Sequence, residues 1–248
     1  QTIYRQNARG YLRLAASYAA RLEKPVVFAL CGLPATGKST LARGLSQALA
    51  APAYRSDVER RRRFSQSHRG GRDNAVPAAR YTPAATRQVY DCLLERAGKE
   101  LRHKRSVILD ATFGRPAMRQ ALRRLAYAQQ ADVLFIYCRA PLASIKVRLG
   151  ARALQPGGSE ARWADLPAIA HRFRRPAPGR DVLEIRTDRA ITPCLAEILH
   201  FVARRPQRHR TDCGSAALHT AKGGHHVQNH SGRHRPGDPA RHARTGRP

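Results

Sequence analysis

The sequence is poor in acidic and aromatic residues. Its 248 residues include 17 Asp and Glu against 46 Lys and Arg, and Phe, Trp and Tyr together make up 6%. Because the bases of single-stranded nucleic acid stack on aromatic side chains, this scarcity argues against a single-strand binding surface. The formal net charge of +29 would suit a nucleic-acid partner, but it is spread along the whole chain and consists mostly of Arg. We therefore do not favour nucleic acid as the partner.

Closely spaced cysteines and long apolar runs are lacking as well. None of the five cysteines forms a C-x-x-C pair, and reduced structural cysteines in a cytoplasmic protein are the expected state. No apolar run approaches the length of a transmembrane helix, and no signal peptide precedes the first predicted strand. We expect a cytoplasmic protein without a membrane partner. The chain begins with Gln1 rather than Met, which is typical of a piece of a longer protein.

One motif organises what is present. Residues 32–40 read GLPATGKST and satisfy the G-x-x-x-x-G-K-[ST] pattern of a phosphate-binding P-loop. The apolar, β-branched run at 25–31 predicts a buried parallel strand before the motif, and apolar residues at helical spacing follow it. A strand, a glycine loop and a helix in this order are the structural context that phosphate binding by a P-loop requires. The predicted nucleotide-binding residues are Gly32, Leu33, Pro34, Ala35, Thr36, Gly37, Lys38, Ser39 and Thr40.

The residue types of this motif explain its function. Glycines allow backbone N–H groups to converge on phosphate oxygens, and the helix N-terminus adds partial positive charge. Lys38 would reach the β- and γ-phosphates of ATP, and the Ser39 hydroxyl would bind Mg²⁺. A plain glycine turn between strand and helix is the alternative interpretation.

The rest of the chain alternates between predicted strands and helices up to about residue 203. Thr82-Pro83 is typical of a helix start, with Thr as N-cap and Pro in the first turn. A second strand is predicted to end near Arg55, and three more are predicted over 106–112, 132–138 and 181–186. Helices are predicted over 83–101, 162–175 and 191–202, and two further helices are predicted to begin at 116 and at 142. Residues 65–80 and 155–159 are predicted loops.

Two acidic residues follow predicted strands. Asp110 ends the apolar strand SVILD and fits a Walker B carboxylate that holds Mg²⁺. Asp57 lies at the carboxyl end of the second strand, where open α/β sheets place their ligands. The alternative is that Ser56 or Asp57 only caps the following helix.

Arg148 and Arg152 lie one turn apart on a predicted helix. In a phosphotransferase, arginines here would close over the phosphates and stabilise the transferring charge. In a chain so rich in Arg they could equally form a solvated face.

The chain divides into three predicted segments. Residues 1–24 form an amphipathic helix that packs on the domain or links to an upstream module. Residues 25–203 form the P-loop domain. Residues 204–248 are rich in Arg, His, Gly and Pro and hold too few large apolar residues to fold, so we predict a disordered basic tail.

Four stretches together resemble a known family. GLPATGKST at 32–40, RSDVERRR at 55–62, SVILDATF at 106–113 and the Arg-bearing helix after the fourth strand resemble P-loop small-molecule kinases of the zeta-toxin, polynucleotide-kinase and gluconate-kinase group. The strongest resemblance is to the predicted kinase domain fused behind an aminoglycoside-phosphotransferase-like domain in bacterial proteins. It spans about residues 5–203 and implies such an upstream domain as a partner.

The resemblance implies a fold and two residue roles. The fold is a P-loop NTPase three-layer α/β sandwich with a five-stranded parallel sheet in the order 2-3-1-4-5, helices on both faces and a mobile lid. An Asp after the second strand would approach the acceptor hydroxyl, and an Arg three residues later would contact the substrate phosphate. Asp57 and Arg60 match that spacing.

Together these observations predict a kinase that uses ATP and Mg²⁺ to phosphorylate a hydroxyl of a small molecule. Two alternatives stay open. One is an ATP-binding or ATPase regulatory module of a larger protein, and the other is a polynucleotide 5′-hydroxyl kinase.

Overall fold

The computed structural model describes residues 24–64, 78–153 and 163–205. These residues belong to one compact unit that ends at Arg205. The predicted N-terminal helix, most of the loop 65–80, the loop 155–159 and the predicted tail lie outside the described residues.

Strands and helices alternate along the described chain, as the sequence predicts. The strands are β1 (Val26–Cys31), β2 (Ala53–Arg55), β3 (Val107–Asp110), β4 (Asp132–Arg139) and β5 (Val182–Arg186). The α-helices are α1 (Lys38–Leu49), α2 (Ser56–Phe64), α3 (Pro83–Arg102), α4 (Pro116–Ala128), α5 (Leu142–Ala153), α6 (Leu166–Arg172) and α7 (Ile191–Ala203), and 3₁₀ turns span Ala78–Tyr81 and Trp163–Asp165.

The strands of the described residues form one parallel sheet in the order β2-β3-β1-β4-β5. This confirms the order that the family resemblance implies. Strand β1 lies at the centre, pairing with β3 on one side and β4 on the other. Because every strand runs the same way, the carboxyl ends of β1, β2 and β3 meet at one edge of the sheet.

Alternate residues of β1 pack into two separate apolar layers. Phe28 and Leu30 lie with Leu41 and Leu45 of α1 and with residues of α7. Val27, Ala29 and Cys31 lie on the opposite face, with residues of α3 and α4. Helices therefore cover both faces of the sheet, and every residue of β1 is buried. This explains why the strand is a continuous apolar run rather than an alternating one.

Local signals set the limits of several helices. The Thr82 hydroxyl accepts a hydrogen bond from the N–H of Ala85 at 3.1 Å, which confirms the predicted N-cap of α3. Helix α6 is shorter than the predicted helix at 162–175. Its C-cap Phe173 is extended, and the next residue, Arg174, donates its N–H to the Gly114 carbonyl at 2.9 Å. A tertiary contact therefore ends this helix.

The cysteines of the described residues are free thiols. Cys31 and Cys138 are buried in β1 and β4, as the sequence predicts. Burial raises the pKa of the Cys31 thiol to about 12, so this thiol stays protonated at neutral pH although it directly precedes the glycine loop.

Candidate nucleotide-binding and phosphotransfer site

The glycine loop connects β1 to α1 at the carboxyl edge of the sheet. Gly32 has φ +135°, and a Cβ there would lie 2.5 Å from the carbonyl oxygen of Cys138. Gly37 has φ +83° and forms the N-cap of α1. Both positions therefore require glycine, because a side chain would be strained at either and would clash at Gly32.

The loop closes around the carbonyl oxygen of Leu33. This oxygen accepts hydrogen bonds from the Thr36 hydroxyl at 2.7 Å and from Lys38 Nζ at 2.6 Å. The ammonium group of Lys38 is therefore turned back over the loop rather than away from it. A phosphate group held by the loop would lie within reach of this charge.

The N-terminus of α1 suits an anion. No side chain caps it, and its first turn contains no acidic residue. The first turns of helices carry N–H groups without intrahelical partners and a partial positive charge. Ser39 is half-buried in this turn and Thr40 is exposed.

Ala35 introduces strain into the loop. Its φ is +60°, the left-handed region that is disfavoured for residues with a Cβ by about 1–2 kcal/mol. Ala35 is 2% exposed and packs with Ile145 and Leu149 of α5 and with Leu166 of α6. Tertiary packing therefore stabilises this turn, and it couples the loop to the helix that carries the predicted lid arginines.

The two predicted carboxylates share one cation. Asp110 is 5% exposed at the end of β3, in register with Leu30 of β1 and Arg55 of β2. Arg55 Nε lies 3.6 Å from Asp110 Oδ2. The same guanidinium donates from Nε to Asp57 Oδ1 at 3.1 Å and from Nη2 to Asp57 Oδ2 at 2.7 Å. Arg55 thus connects Asp57 to Asp110 at the edge that bears the glycine loop.

Asp57 lies in the first turn of α2, directly after Ser56. Its Oδ1 accepts the N–H of Val58 at 2.9 Å, and Arg61 Nη2 lies 3.7 Å from its Oδ2. An N-cap side chain ordinarily accepts from the N–H two or three residues further on. The Asp57 carboxylate instead contacts the adjacent N–H of Val58 and the guanidinium groups of Arg55 and Arg61. These contacts differ from those of an N-cap and are compatible with a role in the site.

Arg60 is turned toward the chain segment before α3. It is 8% exposed, donates from Nη1 to the carbonyl oxygen of Arg80, and lies 4.6 Å from the ring centroid of Tyr81. The contact with a substrate phosphate stays a prediction, and it would require the guanidinium to exchange these partners.

The two predicted lid arginines differ in what the structure describes. Arg148 Nη1 donates to the Ala35 carbonyl at 3.3 Å, and its Nη2 donates to the Thr187 carbonyl at 2.6 Å. Arg148 therefore contacts the backbone of the glycine loop. Arg152 belongs to α5, and its side chain lies outside the described residues.

Sequence reasoning missed Thr187. Its hydroxyl lies 2.7 Å from the Thr36 carbonyl of the glycine loop, across 151 residues of sequence. It directly follows β5, and a polar residue at the carboxyl end of a parallel strand is a signal that could have identified it.

Sequence reasoning also missed Arg119 and Tyr90, which hold the segment after β3. Tyr90 Oη accepts the N–H of Phe113 at 2.8 Å, and Arg119 Nη1 donates to the Phe113 carbonyl at 2.6 Å and the Arg174 carbonyl at 2.8 Å. Arg119 is 5% exposed, and burial lowers its pKa. No sequence pattern distinguishes this arginine from its many neighbours.

The donor set suits a magnesium ion. Among the described residues, no group of three or more His, Cys, Asp and Glu side chains could hold a metal on its own. Mg²⁺ in nucleotide sites typically takes one or two protein oxygens and completes its shell with phosphates and water. Asp110 and Ser39, at neighbouring ends of β3 and the glycine loop, are oxygen donors of this kind.

Comparison with known proteins places this geometry in a family. The model of the AAA_33 family, described as AAA domain, matches residues 27–176. An uncharacterized protein of Mycobacterium tuberculosis H37Rv is 35% identical over 137 residues, as is one of Mycobacterium bovis AF2122/97. Each match covers 55% of this chain and 27% of the relative. The matched region thus spans about a quarter of the length of these relatives.

Several solved structures share the fold. The APS kinase of M. tuberculosis, in complex with AMPPNP and APS, aligns with a TM-score of 0.53 at 17% identity, over 72% of this chain and 98% of that one. A gluconokinase of Sinorhizobium meliloti 1021 aligns with a TM-score of 0.52 at 16% identity, over 73% of this chain and 93% of that one. A sugar kinase of Janibacter sp. HTCC2649 aligns with a TM-score of 0.52 at 15% identity, over 72% of this chain and 94% of that one.

Among the described residues, no helix combines the length and apolar character needed to cross a membrane. The parallel sheet in the order 2-3-1-4-5, the glycine loop after its central strand and the family match over more than half of the chain agree with one another. The chain belongs to the AAA_33 family of AAA domains and has the α/β fold of the P-loop kinases.

Proposed function

We propose that this chain is an ATP-dependent kinase that transfers the γ-phosphate of Mg-ATP to a hydroxyl group of a small molecule. The observation that carries the proposal is the placement of Asp57. Through Arg55 it is joined to Asp110, at the sheet edge where the glycine loop begins. A carboxylate beside a nucleotide site is the group that a hydroxyl acceptor needs.

The nucleotide side of the site consists of the glycine loop and α1. Backbone N–H groups of the loop and the first turn would bind the phosphates, and Lys38 would contact the β- and γ-phosphates. Ser39 and Asp110 would hold Mg²⁺. When bound, this ion would offset the negative charge of the phosphates.

The acceptor side consists of Asp57, positioned by Arg55. In the transfer, the acceptor oxygen forms a bond to the γ-phosphorus while the bond from that phosphorus to the bridging β–γ oxygen breaks, and ADP leaves. The acceptor proton passes to Asp57 or to water. The chain's main contribution is to align the two oxygens and to stabilise the charge between them.

A screen of acceptors tests the proposal. Sugars, nucleosides, aminoglycosides and 5′-hydroxyl oligonucleotides are incubated with the chain and γ-labelled ATP. We expect saturable label transfer to one class of hydroxyl compound, and none by a Lys38→Ala variant. Transfer to oligonucleotides that falls steeply with salt would instead indicate a nucleic-acid end kinase.

One observation favours a second candidate function. The matched relatives are about four times longer than the matched region, so such a domain can be one module of a larger protein. In that case the chain would bind and slowly hydrolyse ATP to regulate a partner domain, such as an aminoglycoside-phosphotransferase-like one. An ATPase rate that no acceptor changes would support this function over the kinase.

A further inference from the structure

Thr187 connects the end of β5 to the glycine loop. It is 7% exposed, and its N–H donates to the Arg139 carbonyl at 2.8 Å, which continues the pairing of β4 and β5. Its hydroxyl lies 2.7 Å from the Thr36 carbonyl and 2.8 Å from the Arg139 carbonyl. A hydroxyl has one proton to donate, and the Arg139 oxygen already accepts the Thr187 N–H. We therefore assign the Thr187 hydroxyl as the donor to the Thr36 carbonyl.

Arg148 holds the adjacent carbonyl of the same loop. Its guanidinium donates to the Ala35 carbonyl and to the carbonyl of Thr187 itself. Two consecutive loop carbonyls are thus bound by the side chains of Thr187 and Arg148, and the Arg148 guanidinium also donates to the backbone carbonyl of Thr187. All of these contacts lie on the side of the loop that faces β5 and α5.

The orientation of these carbonyls determines where the loop N–H groups point. A trans peptide unit is planar, and its C=O and N–H point in opposite directions. Holding the Thr36 carbonyl toward Thr187 therefore directs the Gly37 N–H away from β5. Ala35 has a left-handed backbone, and such a conformation persists only when its surroundings hold it in place.

We infer that Thr187 is a positioning residue of the nucleotide site, and that its hydroxyl keeps the peptide between Thr36 and Gly37 oriented for phosphate binding. This inference rests on the proposed binding of ATP by the glycine loop. Thr187 itself acts through the loop backbone rather than through contact with the nucleotide.

Packing offers a competing explanation that makes the opposite prediction. A Cβ placed on Gly37 would lie 3.2 Å from Thr187 Cβ, so the aliphatic part of Thr187 lies close to the loop. If that contact were what mattered, a residue that keeps the methyl group would preserve the site. If the hydrogen bond from the hydroxyl is what matters, a residue that keeps the oxygen would preserve the site.

The test compares Thr187→Val, which keeps the shape and loses the hydroxyl, with Thr187→Ser, which keeps the hydroxyl and loses the methyl. Calorimetric titration with Mg-ADP gives the affinity of each folded variant. We expect Thr187→Val to bind about tenfold more weakly than wild type, equal to about 1.4 kcal/mol, and Thr187→Ser to bind nearly as well as wild type.

Val places a methyl group against buried carbonyls and could prevent folding. The pair Thr187→Ala and Thr187→Ser then gives the same comparison, since these variants differ only by the hydroxyl oxygen. Equal affinities within either pair, or weaker binding by Ser than by Val, overturn the inference. Wild-type protein that binds no nucleotide would overturn the proposed function, and with it the inference. Normal binding by the wild type with equal affinities in a variant pair would overturn the inference alone.

Discussion

The guanidinium of Arg55 binds the carboxylate of Asp57 through two hydrogen bonds, from Nε to Oδ1 at 3.1 Å and from Nη2 to Oδ2 at 2.7 Å. The Nε also lies 3.6 Å from Asp110 Oδ2. The Arg55 and Asp57 side chains are 34% and 22% exposed, so solvent screens the pair and its contribution to folding is small. Its consequence is geometric, because one planar cation sets the separation of two site carboxylates.

Replacing Asp57 by Asn tests the acceptor side. Asn keeps the shape and removes the negative charge, so a general base or an orienting carboxylate is lost. We expect the rate of phosphate transfer to fall by about 10²–10⁴. The affinity for ATP should change little, because Lys38 and backbone N–H groups hold the phosphates. Transfer assays and calorimetry give the two quantities.

The control is Asp91→Asn, which removes an exposed carboxylate from α3 and should leave both quantities unchanged. Asn caps helices as well as Asp does. Transfer near the wild-type rate by Asp57→Asn would therefore assign Asp57 to capping alone. A parallel loss of ATP affinity would move it to the nucleotide side.

Replacing Arg55 by Lys tests the orientation of Asp57. An ammonium group is a point charge and cannot bind both carboxylate oxygens in the way a planar guanidinium does. Misplacing the Asp57 carboxylate should lower kcat by roughly 10–100-fold with little change in the KM for ATP. The matched control is Arg61→Lys, because Arg61 approaches Asp57 only to 3.7 Å. A raised KM with unchanged kcat would show that Arg55 serves the nucleotide instead.

Replacing Lys38 by Ala tests the glycine loop. In the structure its ammonium group donates to the Leu33 carbonyl, 2.6 Å away. Lys38 as a whole is half-buried, so the fold should tolerate the loss of its side chain. Calorimetry should detect no tight binding of Mg-ATP, while circular dichroism stays that of wild type. Lys99→Ala, on the exposed side of α3, should bind normally. Undiminished affinity in a folded Lys38→Ala variant would disprove the assignment.

Arg105 and Glu100 predict a pH dependence of stability. Glu100 is 5% exposed and accepts hydrogen bonds from Arg105 Nε at 2.7 Å and Tyr54 Oη at 2.8 Å. The hydrogen bond from Arg105 holds the pKa of this carboxyl below its usual range. The stabilisation is therefore full above the pKa that Glu100 has in the unfolded chain, and is lost as pH falls through its lowered pKa in the folded protein.

Arg105→Gln should remove the part of this stabilisation that comes from Arg105, while the hydrogen bond from Tyr54 remains. We expect a loss of about 1 kcal/mol at neutral pH, since Arg105 is more than half exposed and its charge is screened. The acid-unfolding midpoint should move to higher pH. Urea unfolding measured over a series of acidic to neutral pH values gives both results, and Lys99→Gln matches the change in charge. An unshifted acid midpoint would contradict the role of Arg105.

The sequence by itself determined the local elements of this protein. A continuous apolar run predicted β1, because a central parallel strand is buried on both faces. The glycine pattern predicted the loop, since positive φ at Gly32 and Gly37 is readily available only to glycine. Thr82 and Pro83 predicted the start of α3. These signals depend on residues close in sequence, so they are visible without the fold. The strand order followed from the family resemblance and was confirmed.

The tertiary structure alone decided which side chains meet. Thr187 bonds to Thr36 across 151 residues, and Arg148 reaches Ala35 across 113. In a chain with 46 basic residues, the sequence could not tell which arginine binds carboxylates, which is buried and which reaches the loop. The physical reason is that such contacts depend on strand order and helix packing, which bring distant segments to the same edge of the sheet.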